Sequence, residues 1–150
     1  MSRLNVFDNV HTSLILFVQD TIRELTIPNH PMAFINLDAY ANDDNLPKGD
    51  LMGFAGLSIE ASQQAVDITF MIGFIVENDE NLFRLRKNIG VLFKKLMPEQ
   101  RIGIMDAEDK TFLGQMNVFD GTRIMPVAGK AGRPYQLIRV NAGTSLGYES

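Results

Sequence analysis

Residue types that carry out acid–base and nucleophilic catalysis are sparse in this sequence. Histidine is the commonest general base, and the chain has only two: His11 near the start of an apolar segment and His30 between two prolines. We interpret both as surface residues. Cysteine is absent, which excludes a thiol nucleophile, a disulfide and a cysteine zinc site. Ser13, Ser58 and Ser62 do not lie in the Gly-x-Ser-x-Gly motif that marks an activated nucleophile.

The segment DAEDK (106–110) offers three carboxylates near the spacing that opens a calcium loop. An EF-hand loop also needs glycine at its sixth position and glutamate at its twelfth, where this chain has Thr111 and Asn117. We therefore predict a solvated turn for this segment, and another for NDDN (42–45).

The segment VAGKAGRP (127–134) contains a Gly-Lys pair, as phosphate-binding loops do. The true motif has an earlier glycine separated from this pair by four residues, and Ser or Thr after the lysine. Here the upstream glycine, Gly121, is too distant and Ala131 follows Lys130. The residues therefore give no reason to expect an enzyme, a cofactor or a bound metal.

Composition predicts one globular domain that spans residues 1–150. Hydrophobic residues make up 45% of the chain and charged residues 21%, which is typical of a folded domain. A formal charge of −4 argues against a general nucleic-acid binder. The apolar run 14–18 is too short to span a bilayer, and no secretory signal pattern opens the chain. We expect synthesis in the cytosol and no membrane partner.

Two segments have the periodicity of amphipathic helices. The first, VHTSLILFVQDTIREL (10–25), follows Asp8, which can cap it as Thr12 can. The second, ENDENLFRLRKNIGVLFKKLMP (77–98), has Asn78 or Asp79 as its predicted cap. Their predicted core residues are Val10, Leu14, Phe17, Val18 and Leu25 in the first, and Leu82, Leu85, Ile89, Leu92, Phe93 and Leu96 in the second. Leu16 falls on the opposite side of the first helix. We predict that it is either a simple exposed leucine or a contact with a neighbouring subunit.

The segment AVDITFMIGFIV (65–76) is the clearest strand, because every second residue from Val66 to Val76 is apolar. One face of this strand must therefore pack on helices, while the other, with Asp67 and Thr69, is only partly dry. Further predicted strands cover 32–40, 54–62, 101–106, 112–119 and 135–142. The pattern predicts an α+β fold: an antiparallel or mixed β-sheet with two helices packed on one face.

Segment 120–134 is predicted to be a long loop without secondary structure, and residues 143–150 a loose tail. Such a loop is uncommon in a compact domain unless it is functional. We predict that it becomes ordered against an adjacent copy, where its basic residues Arg123, Lys130 and Arg133 meet the acids Asp43, Asp44 and Asp50. The second helix adds a basic face, predicted either as solvated or as part of this interface: Arg84, Lys87, Lys94 and Lys95.

The order of these elements resembles the small tail-terminator and related ring-forming tail-completion proteins of tailed bacteriophages. The resemblance covers residues 8–142 and rests on the first helix, the strand 65–76, the helix that follows it and the last strand. It implies a non-enzymatic subunit, located in the virion tail, that closes a ring of about six copies on the tail tube. It also implies partners among sheath, neck or baseplate proteins and no specific nucleic acid.

Three other functions remain compatible with the sequence. Within the phage class, the chain would be a baseplate or neck ring protein. As a ligand-binding or regulatory domain, it would bind on the mixed face of the strand around Thr69, Met71 and Gly73. As an enzyme, it would use carboxylates such as Asp67 and Glu77, which would need a cleft that shifts their pKa values.

Overall fold

A computed structural model describes residues 5–40 and 45–145 of the chain. The elements in these ranges are α1 (Val6–Leu25), β1 (Met32–Phe34), β2 (Asp50–Ala61), β3 (Ala65–Ile75), α2 (Phe83–Lys95), β4 (Arg101–Met105), β5 (Phe112–Val118), β6 (Arg123–Ile124), β7 (Ala128–Lys130) and β8 (Arg133–Ser145). A short 3₁₀ turn, Glu80–Leu82, precedes α2. None of the helices in these ranges is long and apolar enough to cross a membrane.

The strands form one mixed sheet with the spatial order β1-β2-β3-β8-β5-β4. β1 runs parallel to β2, and the remaining pairs are antiparallel. β3 is central and pairs along its whole length with β8, from Ala65 opposite Ser145 to Ile75 opposite Tyr135. The last described strand therefore lies beside the strand with the clearest sequence pattern.

The alternation predicted for β3 is confirmed. Its apolar residues at even positions are all buried, with exposed fractions of 1% or less: Val66, Ile68, Phe70, Ile72, Phe74 and, just beyond the strand, Val76. Buried residues of α1 and α2 belong to the same hydrophobic cluster as this face. Both helices therefore pack on one face of the sheet, which confirms the α+β fold class.

Helix α1 begins one turn earlier than predicted. Its N-cap is Asn5, which makes no side-chain capping bond, so neither Asp8 nor Thr12 caps the helix. Val6 packs against the core and continues the stripe of Val10 and Leu14 at intervals of four residues. Packing of the apolar face, more than a cap, thus extends the helix.

Helix α2 begins later than predicted, but Asp79 does satisfy its first turn. The Asp79 carboxylate accepts hydrogen bonds from the backbone N–H groups of Arg84, at 3.0 Å, and Leu85, at 2.9 Å. Between cap and helix, Asn81 and Leu82 adopt positive φ angles of 59° and 57°. The chain therefore turns sharply after β3 and enters α2 with Leu85 buried in the core.

The prediction that 120–134 is a loop without secondary structure is wrong. β6 and β7 pair with β8, and the turn between β7 and β8 is two residues long. Its residues Ala131 and Gly132 both have positive φ, 52° and 75°, as a tight type I′ hairpin turn requires. The segment is ordered by its own chain because the edge of β8 has backbone groups to pair.

Other boundaries also differ from the predictions. The strand predicted over 32–40 ends at Phe34, because the chain then turns across β2. β2 begins at Asp50 instead of residue 54, since it pairs with both β1 and β3 from that point. β8 continues to Ser145, so the predicted loose tail is strand as far as that residue. The rest of the tail lies outside the described residues.

Candidate subunit interface

A buried ion pair joins the start of β2 to the start of α2. Arg84 donates from Nε to Asp50 Oδ2 at 2.8 Å and from Nη2 to Asp50 Oδ1 at 3.1 Å. Arg84 Nη2 also donates to the Glu77 carbonyl oxygen at 2.6 Å, and the Asp50 carboxylate accepts from Glu77 N at 3.1 Å. The hydrogen bonds that Arg84 donates to Asp50 raise the pKa of Arg84, which stays charged. This pair cross-links two segments 34 residues apart.

Arg133 holds a neighbouring part of the same region. Its guanidinium donates to the carbonyl oxygens of Pro47, at 2.7 Å, Gly49 and Val76. It also lies 3.9 Å from the Glu77 carboxylate. The side chain of Arg133 is only 12% exposed. Arg133 thus fixes the turn before β2 to the start of β8.

Three residues of the predicted interface are therefore engaged inside the chain. Asp50 and Arg84 were expected on two different surfaces that meet between copies, whereas they pair with each other in one subunit. Arg133 was expected to meet an acid of an adjacent copy, and it binds backbone carbonyls instead. Their side chains are too buried to supply an exposed charge, so this part of the prediction is corrected.

The basic face of α2 divides into two parts. Lys95 pairs with Glu24 of α1 at 2.5 Å, which joins the two helices. Lys87 and Lys94 are exposed. Arg123 in β6 is exposed as well, while Lys130 in β7 lines a pocket of about 220 Å³ with Tyr135. Asp43 and Asp44 lie outside the described residues.

The end of the sheet at β4 offers unpaired backbone groups. The backbone N–H and C=O groups of Ile102 and Ile104 point toward β5. Those of Arg101, Gly103 and Met105 therefore point away from it. The Met105 N–H is satisfied by Ser13 Oγ of α1 at 2.7 Å. Within the described residues, the N–H groups of Arg101 and Gly103 have no such partner.

A groove runs between this free edge and α1. It encloses about 140 Å³ and is lined on the helix side by Leu16, Phe17 and Asp20. Leu16, the leucine predicted to lie away from the α1 core stripe, is half-buried in this groove. The groove thus combines free backbone donors with an apolar wall, which is what an added β-strand requires.

The sheet face opposite the helices, here named the outer face, divides into a covered half and an open half. In the covered half, Ile35 and Leu37 cross the sheet and form a second small cluster with Leu51 and Ile75. A β-carbon at Gly53 would collide with the Ile35 carbonyl oxygen, so glycine permits this close crossing. Gly73 is buried in this half, but Ala55 and Leu137, which lie opposite Met71 and Gly73, line an open pocket of about 220 Å³.

In the open half, cross-strand register brings like charges together. Glu60 of β2 lies directly opposite Asp67 of β3. Arg123 of β6 lies directly opposite Arg139 of β8. All four residues are exposed. Sequence reasoning placed Asp67 on the mixed face of β3 but missed Glu60 and Arg139, because only the strand pairing shows their neighbours.

A β-bulge decides which residues of β2 share the outer face. The register with β3 shifts between Ala55 and Ser58, where Gly56 has a φ of 65°. With uninterrupted pairing Ile59 would lie opposite Asp67, whereas the bulge places Glu60 there. The extra residue therefore turns the charged side chain outward and the isoleucine inward.

A cavity of about 110 Å³ lies where the end of α1, β1 and α2 meet. Asn88 lines it and is only 7% exposed, yet its side chain has no hydrogen-bond partner among the described residues. His30 and Lys87 also line this cavity, beside the apolar side chains of Leu25 and Met32. Asn88 is the one buried polar side chain on α2, and its side-chain amide is free to bind a ligand.

The turn 106–111 is closed by its own hydrogen bonds. Asp106 Oδ1 accepts from Glu108 N at 2.8 Å, and Asp109 accepts from the Thr111 hydroxyl at 2.7 Å. The Thr111 hydroxyl bond lowers the pKa of Asp109, helped by the Thr111 backbone N–H. In the described ranges, no three His, Cys, Asp or Glu residues form a group that could hold a metal ion.

The carboxylates named in the enzyme hypothesis lie far apart. Asp67 is near the first end of β3 and Glu77 is beyond its last residue, so their backbones are about 30 Å apart along the strand. Glu77 accepts a hydrogen bond from Gly49 N at 3.1 Å. His11 lies against Phe54, with ring centroids 5.2 Å apart. The two carboxylates cannot act on one substrate atom.

The amino-acid sequence matches no protein-family model and no curated protein sequence.

Proposed function

We propose that this chain is a non-enzymatic structural subunit of a bacteriophage tail, which closes a ring of about six copies in the manner of a tail terminator. A baseplate or neck ring is the alternative position for the same kind of subunit. Its location would then be the virion tail, after synthesis in the host cytoplasm. Its partners would be further copies of itself and other tail, sheath, neck or baseplate proteins.

The order of elements supports this proposal. α1 is the first described element, β3 leads within eight residues into α2, and β8, the last described strand, lies near the centre of the sheet. This is the order on which the resemblance to tail-completion proteins rests. The fold supplies a rigid sheet with helices on one face, which is suited to holding surfaces in fixed positions.

The free edge of β4 is the observation that carries the proposal. A strand from a neighbouring copy can bind the outward N–H and C=O groups of Arg101 and Gly103 and cover Leu16 in the groove. The opposite end of the sheet, β1, is a different surface, so contact between unlike ends is head-to-tail. Head-to-tail contacts close into rings when the rotation between copies permits.

Native mass spectrometry with negative-stain imaging tests the ring directly. We expect a closed ring of about six subunits at micromolar concentration. A chain that remains monomeric or stops at dimers throughout the accessible concentration range contradicts the proposal. Binding of the ring to the end of purified tail tubes then distinguishes a terminator from a baseplate or neck component.

A pair of variants tests the edge itself. Arg101→Pro removes one outward N–H at the first residue of an edge strand, where proline is tolerated. Arg101→Ala removes the same side chain and keeps the N–H. We expect the proline variant to stay folded and lose the ring, while the alanine variant assembles. Equal assembly by both variants would show that β4 is not the contact.

A ligand-binding domain is the second candidate function, and the cavity at Asn88 favours it. The free amide of Asn88 and the exposed amine of Lys87 suit a small carboxylate, while Leu25 and Met32 suit a short apolar tail. Titration of butyrate into labelled protein, followed by NMR, should shift the Asn88 side-chain amide. Asn88→Leu is the matched control, and no shift with wild type eliminates this function.

A further inference from the structure

The open half of the outer face carries two like-charged pairs of opposite sign. Glu60 and Asp67 form the acidic pair, and Arg123 and Arg139 form the basic pair. Directly opposed residues in antiparallel strands have β-carbons about 5 Å apart, and like charges at that distance repel. Within the described residues, none of the four side chains has an ion-pair or hydrogen-bond partner.

The two pairs lie at different places on one face. Asp67 and Met71 are four residues apart on β3, which is about 13 Å, and Met71 lies opposite Arg139. Between them lies a row of uncharged polar residues, Ser58, Thr69 and Asn141. The acidic and basic pairs are thus held apart by the register, so they cannot neutralise each other within one copy.

An exposed aromatic ring lies beside the acidic pair. The ring of Phe119 occupies the space that a β-carbon on Gly143 would take, and Gly143 is opposite Asp67. Phe119 is 44% exposed on the outer face. Aromatic side chains that lie flat on a rigid surface are typical anchors of protein interfaces.

We infer that the outer face binds the same face of a second copy, with the acidic pair of each copy against the basic pair of the other. Both halves of the complementary set belong to one surface. A two-fold axis that exchanges the two pairs therefore matches every charge at once, as a self-complementary interface must. The repulsion within each pair is relieved only in this dimer. Phe119 lies next to the matched charges and is covered in it.

This contact is separate from the ring contact at β4. The two-fold surface uses side chains of β2, β3, β6 and β8, whereas the ring contact uses the outward backbone of β4. A protein with both contacts forms rings joined in pairs. A protein with the two-fold contact alone forms dimers, so each contact can fail without the other.

Charge reversal tests the two-fold contact. The first variant is Glu60→Lys with Asp67→Lys, and the second is Arg123→Glu with Arg139→Glu. Each variant alone would face its own charge across the axis, so we expect its dimer dissociation constant to rise more than about tenfold. Each substitution leaves a like-charged exposed pair in place, so the fold loses no contact. Circular dichroism checks this.

Mixing the two variants gives the decisive result. A heterodimer has opposite charges at both pairs, so an equal mixture should recover association in sedimentation velocity at low salt. The control replaces the second variant by Lys87→Glu with Lys94→Glu, which has the same net charge and a native outer face. The control variant, with its native outer face, should associate only with itself. Failure of the two reversal variants to associate with each other, mixed dimers of the first variant with the control variant to the same degree, or wild-type association that neither reversal changes would overturn the inference. Arg101→Pro should leave the two-fold contact intact, which separates this result from loss of the ring.

Discussion

Asp50 and Glu60 are acidic residues of the same strand, yet their surroundings differ in every respect. Asp50 is buried and accepts two hydrogen bonds from Arg84, across 34 residues of sequence. Glu60 is exposed and lies opposite another acid, Asp67. The buried charge is matched within the chain and stabilises the fold. The exposed pair is matched by nothing in the described part of the subunit, which is why we propose that a second copy supplies its complement.

The same difference separates the arginines. Arg133 binds three backbone carbonyl oxygens and fixes one turn, whereas Arg139 lies opposite Arg123 on the open half of the outer face. A charged side chain therefore marks a surface for assembly only where the fold leaves it without a partner. The four predictions below test this distinction in order of decreasing effect.

The largest effect is expected at the buried pair. Asp50→Ala removes the closer of two carboxylate partners of the Arg84 guanidinium and leaves Asp79 at 3.7 Å, in a site where the Asp50 side chain is only 3% exposed. Removing one partner of a buried ion pair typically costs about 3–5 kcal/mol of unfolding free energy. Urea denaturation measures the loss, with Glu60→Ala as the exposed control in the same strand. Equal losses of unfolding free energy in both variants would show that the buried and the exposed carboxylate contribute alike.

A smaller loss is expected at the cap of α2. Asp79→Ala removes the acceptor for two backbone N–H groups and a carboxylate 3.7 Å from Arg84. Loss of a helix cap costs about 0.5–2 kcal/mol, so the variant should lie between the buried and exposed charges. The midpoint of thermal unfolding measures the loss of stability in this variant. Glu80→Ala, which changes an exposed side chain and leaves the cap in place, should change the midpoint less.

At the acidic pair we expect the opposite sign, a gain in the unfolding free energy instead of a loss. Glu60→Lys turns a repulsive cross-strand pair into an attractive one, so the monomer should gain about 0.2–1 kcal/mol. The measurement requires a concentration low enough to exclude dimers, because the same substitution should weaken the two-fold contact. A monomer that becomes less stable would mean that Glu60 has a stabilising partner within the chain.

The smallest effect concerns pH. The bonds from Thr111 hold the pKa of Asp109 below its ordinary value, so Asp109 binds its proton at lower pH in the folded chain than in the unfolded chain. Its contribution to stability is therefore complete above the unfolded pKa and is lost as pH falls through the folded one. NMR titration of Asp109 in wild type and Thr111→Val should show an upward shift in the variant.

The sequence could predict those features that depend on local pattern. The alternation of β3 requires one face to be buried, since a period of two places every second side chain on the same side. The stripe of α2 and the cap at Asp79 follow from residues within one turn of each other. Fold class follows from these elements, because an apolar helix stripe and an apolar sheet face have to cover each other.

The candidate interface could be predicted only in part. Composition identified Arg123 and the exposed lysines of α2, but it could not separate them from Arg84 and Arg133, which are equally basic. The partners of those two arginines come from distant segments, such as Asp50 and Pro47. Long-range contacts of this kind leave no periodic signal in the sequence.

What the sequence alone determined is thus the set of elements and the apolar face of each. Tertiary structure decided which charges are paired, because strand register is a property of two segments together. The bulge at Gly56 shows the reason: one extra residue in β2 exchanges Ile59 for Glu60 on the outer face. In the same way, 120–134 has the composition of a loop, and it becomes strand only because the edge of β8 lies beside it.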